Sequence, residues 1–139
     1  MDNRIIKAMQ VLEDRVQGGF WSLNRRTGNF YRIKEGDRVI FYIGGREGKR
    51  FMGRCTLASE PHPMDTDQRK RVMGYPSALF THAVNLKNIK LWREPLPVSD
   101  LTEELGFIKK KDLWKVYFRR SIIPIPEKDY NGIISRAEG

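Results

Sequence analysis

Few residues of this sequence have the types and spacing that catalysis or metal binding requires. Cys55, His62 and His82 are the available soft ligands, and their spacing matches no metal site. His82 alternates with apolar neighbours on a predicted strand, as a core histidine does. Asp65 and Asp67 are close enough to act as paired carboxylates, although solvated loop acids are the more common case. The sequence also contains no GxSxG, GxxxxGK[ST], CxxC or HExxH motif, so it predicts neither catalysis nor a metal or other cofactor.

Trp21 lies beside polar groups that suit a nucleobase. It follows a glycine pair and falls outside any periodic apolar pattern, as expected of a loop residue. The alternative to a binding role is that this tryptophan covers the core. Asn24 carries both a donor and an acceptor, as a base edge requires, and Arg25 and Arg26 follow as phosphate ligands. Stacking of a base on an aromatic ring contributes about 1–3 kcal/mol. The stretch therefore predicts a base-binding site.

The positive charge of the chain is concentrated in two segments. The net charge is +9, from 26 Lys+Arg and 17 Asp+Glu. Residues 21–54 and 109–139 hold the whole surplus, while the remainder of the chain is close to neutral. Such a surface attracts polyanions, nucleic acid before acidic membrane. The alternative is a basic protein without a polyanionic partner.

Length and composition predict one folded domain, residues 1–139. The chain is 40% hydrophobic and 11% aromatic, which is enough for a packed core. No apolar run approaches the roughly 20 residues of a membrane helix, and the N-terminus lacks a secretory pattern. Because Cys55 is the only cysteine, no internal disulfide can form, and we expect a cytoplasmic protein.

The elements predicted for the first half are a helix and a hairpin. The helix runs from a cap at Asp2 to the glycine pair at 18–19, with apolar residues at helical spacing: Ile5, Met9, Leu12 and Val16. Residues 20–33 are predicted to form a loop. The strand Arg38–Ile43 is apolar on both faces, which predicts a place in the middle of the sheet. A glycine-rich turn then leads to an antiparallel partner, Phe51–Ser59.

The second half alternates predicted strands and short helices. We expect a long polar loop from Pro61, strands at Ala78–Leu86, Asn88–Trp92 and Ser121–Ile125, a short helix capped by Ser99, and a last helix from Pro126 to about Arg136. Trp92 is predicted to cover the base of the sheet. Trp114, Tyr117 and Phe118 have the spacing of a helical packing stripe, which predicts core. The whole pattern indicates an α+β domain built on a small barrel-like sheet.

The order of several short motifs resembles the EVE domain family. These are W-S-x-N, IKEGDRVIFY, FMGRxTLASEP and FIKKKDLWKVYFRRSIIPIPEKDYNGI, which together span about Phe20 to Ile134. The resemblance implies a PUA-like fold, a compact, mostly antiparallel β-barrel of five or six strands with flanking helices. It also implies kinship with YTH domains, which read N6-methyladenine in RNA. Family members usually begin with a strand that carries pocket residues, whereas this sequence begins at the predicted first helix.

The resemblance also implies the residues of a ligand pocket. Trp21 takes the position of the first tryptophan of the YTH methyl-binding cage, with Ser22 and Asn24 beside it. Tyr42 matches a position that commonly faces the pocket, and Tyr75 is a candidate for a second cage wall.

Together, these features predict a non-catalytic module that recognises a modified base, for example a methylated one, in DNA or RNA. The alternatives are an accessory enzyme of nucleic-acid modification or restriction, and a protein-interaction module with a basic face. The sequence predicts no membrane partner. The residues predicted to contact the nucleic-acid backbone are Arg25, Arg26, Arg69, Lys70, Arg71, Lys109, Lys110, Arg119 and Arg120.

Overall fold

A computed structural model describes residues 3–26, 28–44, 48–72, 81–119 and 122–139. In chain order these form α1 (Asn3–Gly18), β1 (Phe20–Leu23), β2 (Arg38–Ile43), β3 (Arg50–Leu57), β4 (His62–Pro63), α2 (Thr66–Val72), β5 (His82–Pro97) and α3 (Glu127–Glu138). Short 3-10 helices occur at Phe30–Arg32, Val98–Asp100 and Lys111–Phe118.

One long strand, β5, holds the sheet together. The strand order is β1-β5-β3-β2, with β4 also on β5, and every pairing is antiparallel. The register between β3 and β5 shifts twice, and Asn88 within β5 has a φ of 54°. Because each irregularity adds local bend and twist, the sheet curls into a half-barrel with helices around it, the predicted α+β barrel-like fold.

Gly53 lies where the backbones of β3 and β5 are close together. A Cβ at this position would lie 2.2 Å from the backbone oxygen of Lys90. Only glycine fits such an approach of two backbones, so this residue helps to set the curvature of the sheet.

The hairpin of β2 and β3 is confirmed, but the predicted position of β2 is wrong. Among the described strands β2 stands at the end of the sheet, not in its middle. Both of its faces are nevertheless apolar because each is covered. Phe41 and Ile43 pack in the cluster of the inner face, whereas Ile40 and Tyr42 pack against the helical segments. An apolar pattern on both faces of a strand therefore indicates that both faces are buried, and does not indicate that the strand is central in the sheet.

Both terminal helices form as predicted. Gly19 ends α1 with a φ of 72°, the left-handed conformation that glycine tolerates, while the Asp2 cap lies outside the described residues. Pro126 directly precedes α3, and Asp129 in its first turn is buried. The Asp129 carboxylate accepts backbone hydrogen bonds from Gly106 and Phe107, both at 2.9 Å, and so fastens the preceding turns to the helix.

Three predictions of irregular structure or of helix capping are wrong. Phe20–Leu23 is a strand, because its residues pair with β5 and are mostly buried. The predicted polar loop contains α2, whose start is stabilised by a reciprocal pair: Gln68 N donates to Asp65 Oδ1 and Asp65 N donates to Gln68 Oε1. Ser99 caps no helix, since it lies inside a 3-10 turn that follows Pro97.

Two predicted strands also differ from the structure. The strands predicted at Ala78–Leu86 and Asn88–Trp92 are one strand, β5, within the described residues, and its bulge at Asn88 explains the apparent break. Residues 122–125, predicted as a strand, are irregular, although their side chains contribute to a cavity described below.

The predicted core tryptophan Trp92 is confirmed, with 7% exposure and its indole Nε1 donating to Glu138 Oε2 at 2.8 Å. Trp114, Tyr117 and Phe118 are only half-buried and pack against the cluster that contains Trp92. A third cluster joins α2 to the outer face of β1 and β5; its members are Phe20, Met64, Val72 and Ala83.

Candidate nucleic-acid interface

A cavity of about 590 Å³ occupies the inner face of the half-barrel. Side chains from β1, β2, β3 and β5 form its floor, and the segment 122–125 with the start of α3 borders it. The floor is apolar because these strand positions point away from solvent; its central residues are Leu23, Phe41, Leu57, Val84 and Leu86. A cavity of this size and composition is typical of a site for a small molecule or a single base.

Trp21 lines this cavity from β1. Its ring lies against Phe41, with centroids 5.5 Å apart and planes tilted by 33°. The residue is half-buried and is one of those that line the cavity. Because side chains alternate along a strand, Leu23 also lines the cavity while Phe20 and Ser22 point to the other face.

Tyr42 lines the same cavity from β2, but in a different part. Its ring stacks on Phe118 at 4.7 Å and contacts Phe51 edge-on, within the cluster on the helical side of β2. Burial raises the pKa of Tyr42, so its hydroxyl stays protonated at neutral pH. Since Trp21 packs with the inner cluster and Tyr42 with the other, the two rings do not form opposite walls of one slot.

Ser22 and Asn24 do not line the cavity, in contrast to their expected places. The Ser22 hydroxyl accepts a hydrogen bond at 3.1 Å from Nε of the buried Arg15. The Asn24 side chain accepts one at 2.9 Å from the backbone of Arg26, which closes the turn after β1. Their polar groups support the strand and the turn that carry Trp21. Tyr75 lies outside the described residues.

The cavity has polar residues at its border that the sequence reasoning missed. Arg38 of β2 places its guanidinium 4.6 Å from the ring centre of Tyr130 and pairs with Glu127 at 3.1 Å. Asn29 donates to the backbone oxygen of Ile122 at 2.8 Å and so connects the two sides. Arg38 and Glu127 are 89 positions apart, and no local pattern in the sequence links residues at that distance.

The predicted phosphate-binding residues fall into two groups. Arg25 and Arg26 are exposed in the turn after β1, and Arg119 is exposed directly after Phe118, which lines the cavity. Lys109 and Lys110 are also exposed, and their backbone nitrogens both donate to the Tyr117 hydroxyl.

The second group, on α2, lies on the opposite face of the sheet. The α2 helix packs on Phe20 and Ala83, which point away from the cavity. Arg69 donates to the Met64 backbone oxygen, and Arg71 pairs with Asp14 at 3.0 Å, whereas Lys70 is exposed. Arg120 lies outside the described residues.

Cys55, His62 and His82, the possible metal ligands named from the sequence, are each buried or engaged in contacts within the fold. Burial raises the pKa of the Cys55 thiol to about 12, so the thiol is unreactive in the folded protein. His62 bonds to Asn85 at 3.0 Å, and burial with the Arg25 charge lowers the pKa of His82. Across the described ranges, no three His, Cys, Asp or Glu side chains group as metal ligands. None of the helices described there is long and apolar enough to cross a membrane.

Comparison with known proteins identifies the family. A search of curated proteins found no significant match. The sequence model of the EVE domain matches residues 5–136, nearly the whole chain, and EVE domains are PUA-like domains often linked to nucleic-acid binding. The curled antiparallel sheet with flanking helices agrees with that fold. The chain therefore belongs to the EVE domain family.

Proposed function

We propose that this protein is a non-catalytic nucleic-acid-binding module that takes one unpaired or flipped base into its cavity. The observation that supports this most is the place of Trp21, a half-buried ring on the wall of an apolar cavity of about 590 Å³. An aromatic ring at such a site can stack on any base, because every base has a π-face. The exposed Arg32 and Arg38 at the cavity border supply attraction for phosphates.

A modified base is the ligand that this cavity suits best. The floor around Trp21 is apolar, formed by Leu23, Val84 and Leu86 among others. A methyl group buried there contributes about 0.8 kcal/mol, which is roughly a fourfold preference. Stronger discrimination must come from stacking and from polar groups at the border, where Asn29 and Tyr130 offer donors and acceptors.

The catalytic alternative has less support from the cavity. Asp37 and Glu127 are the carboxylates among its described lining residues. Asp37 accepts the backbone N–H of Lys34 at 2.9 Å, and Glu127 pairs with Arg38. Both therefore have structural partners, and neither is placed as an activated acid or base beside a nucleophile.

The experiment that tests the proposal compares Trp21→Ala with a matched tryptophan variant. Short single-stranded DNA and RNA probes carry adenine, N6-methyladenine, cytosine or 5-methylcytosine at the centre, and binding is measured by fluorescence anisotropy. Trp21→Ala removes the stacking wall without changing charge, so we expect the affinity for the preferred modified base to fall by about 1–3 kcal/mol. Trp114→Ala is the control, because Trp114 is also half-buried but is not among the residues that line the cavity.

Thermal melting of the same proteins separates a binding role from a core role. A core tryptophan replaced by alanine costs about 3–5 kcal/mol of stability. A large fall in melting temperature for Trp21→Ala with unchanged base preference would refute the proposal. If the protein captures the same components of a cell extract with and without nuclease treatment, the result would instead favour a protein partner for the basic face.

A further inference from the structure

Tyr31 is a feature that the proposed function leaves unexplained. It is 76% exposed, while every other aromatic residue in the described ranges is buried or half-buried. A single exposed tyrosine is common on protein surfaces and carries little information alone. The turn that supports Tyr31, the residues next to it and the charge around it make its exposure more informative.

The turn that carries Tyr31 is firmly held. Phe30, directly before it, is buried, and Asn29 at the start of the turn is tied to the Ile122 backbone at 2.8 Å. Two backbone bonds close the turn, from Arg32 N to Asn29 O at 3.0 Å and from Ile33 N to Phe30 O at 3.3 Å. A ring on such a support loses little freedom when a ligand binds, which favours affinity.

The ring of Tyr31 has a face available for stacking. It contacts Phe30 with centroids 5.1 Å apart and planes at 83°, an edge-on arrangement. Such a contact covers at most one face of the Tyr31 ring, and the high exposure agrees with an open second face.

The same turn borders the cavity. Asn29, Arg32 and Ile33 are all lining residues, whereas Tyr31 between them points into solvent. Tyr31 therefore belongs to the turn at the cavity border, and its side chain extends from that border into solvent. A base inside the cavity and a base on Tyr31 would then belong to neighbouring nucleotides of one strand.

Basic residues outnumber acidic ones in this part of the chain, four to two between residues 25 and 37. Arg25, Arg26, Arg32 and Lys34 are exposed, and none of them has a carboxylate within ion-pair distance in the described part of the chain. The Phe30 ring contacts the His82 ring with centroids 5.4 Å apart, and His82 pairs with Leu23, two positions before Arg25. Phosphates on either side of a stacked base would meet these cations.

We propose that Tyr31 is a second stacking platform, which holds the nucleotide adjacent to the one in the cavity. The inference rests on the proposed function and narrows it, because the ligand becomes a single strand of at least two nucleotides. A paired and stacked duplex does not present a free base face to Tyr31, whereas an unstacked single strand does.

A cycle of protein and ligand changes tests this assignment. The proteins are wild type, Tyr31→Ala and Tyr31→Phe; the ligands are the preferred oligonucleotide and two versions with an abasic residue on the 5′ or the 3′ side of the central base. Tyr31→Ala should weaken the intact oligonucleotide by about 5- to 150-fold, and Tyr31→Phe, which keeps the ring, should bind like wild type. One abasic ligand should show the same loss with wild type and no further loss with Tyr31→Ala.

Each other outcome overturns the assignment in a distinguishable way. If Tyr31→Ala binds like wild type while Trp21→Ala loses base preference, the proposed function stands and the second platform is absent. Equal additional losses from the abasic change in wild type and Tyr31→Ala would show that Tyr31 does not contact the neighbouring base. If wild type binds none of the oligonucleotides, both proposals fail. Thermal melting checks the fold of the variants. Because the Tyr31 side chain is exposed, its replacement should leave the melting temperature unchanged.

Discussion

At the scale of single residues, the two ends of α3 carry carboxylates in different surroundings. Glu127, near the cavity, is 75% exposed in its side chain and pairs with one arginine. Glu138, at the other end, is 18% exposed and accepts bonds from Arg54 at 2.6 and 3.2 Å and from Trp92 at 2.8 Å. Glu138 therefore fastens the end of α3 to β3 and β5, and the cavity border depends on the helix being held there.

The Glu138 carboxylate should make stability depend on pH. The hydrogen bonds from Arg54 and Trp92 lower its pKa from 4.5 to about 2. Because the unfolded chain binds this proton more readily, the contribution is fully present above pH 4.5 and is lost as pH falls from 4.5 towards 2. Urea unfolding of wild type and Glu138→Gln across this range measures it.

We expect Glu138→Gln to lose about 1 kcal/mol near neutral pH and to lack this part of the acid dependence. Glu104→Gln is the matched control, since Glu104 pairs with Arg136 at 2.6 Å but both side chains are 44% exposed or more. An exposed pair contributes little, so this variant should stay within about 0.5 kcal/mol of wild type. Equal losses in the two variants would contradict a special role for Glu138.

Which site residues the sequence predicts depends on how local their signal is. Trp21 and Tyr42 carry local signals, a tryptophan after a glycine pair and a tyrosine on an apolar strand, and both line the cavity, while their part in binding stays a prediction. Ser22 and Asn24 are adjacent in sequence but point elsewhere, since strand alternation turns one away and a local turn uses the other. The pairing of Arg38 with Glu127 depends on the tertiary fold and leaves no local trace.

At the scale of elements, burial pattern predicts the existence of a strand better than its place. The limits of β2 agree with its apolar run, yet its edge position depends on which distant segments cover it. The α2 helix was predictable in principle, because Asp65 and Gln68 have the spacing of a capping pair, which is visible in the sequence. The irregular path of 122–125 was also predictable, because Pro124 and Pro126 cannot donate hydrogen bonds to a neighbouring strand.

Two glycine substitutions test the account of the sheet. In Gly53→Ala the new methyl group would meet the Lys90 carbonyl, so we expect a loss of about 1–3 kcal/mol in urea unfolding. Gly132, inside α3, has no atom within 4 Å of its would-be Cβ. Gly132→Ala should therefore raise stability by about 0.5–1 kcal/mol through helix propensity. A neutral Gly53→Ala would mean that the strands can separate at this point at no cost.

At the scale of the whole molecule, exposed cations lie on both faces of the sheet, although residues 21–54 and 109–139 hold the surplus that makes up the net charge of +9. The arginines after β1 follow the strand that carries Trp21, whereas those of α2 lie across the sheet from the cavity. Total charge alone would steer any polyanion towards the protein. The position of each cation decides whether it neutralises a phosphate, and so displaces the counterion of that phosphate, when a strand occupies the cavity.

The salt dependence of binding should separate the two groups of cations. For a single strand, log K falls with log salt by about 0.7 for each phosphate neutralised. Arg25→Glu/Arg26→Glu should flatten this slope and weaken modified and unmodified probes alike. The double variant Arg69→Glu/Lys70→Glu makes the same change in net charge on the opposite face and should leave the slope close to wild type. Identical slopes in both variants would indicate unspecific attraction without a defined path for the strand.

The place of β1 and β2 at the two ends of an open sheet has a consequence for ligand range. Trp21 and Tyr42 stand on these ends, and β5 and β3, whose register shifts twice, lie between them. The bend of the sheet therefore sets how far apart β1 and β2 stand, and with it the width of the cavity. A small change in the bend at Asn88 or Gly53 alters this width without moving any loop. Relatives with the same lining residues but different bulges should accept bases of different size, and selectivity could evolve at positions that never touch the ligand.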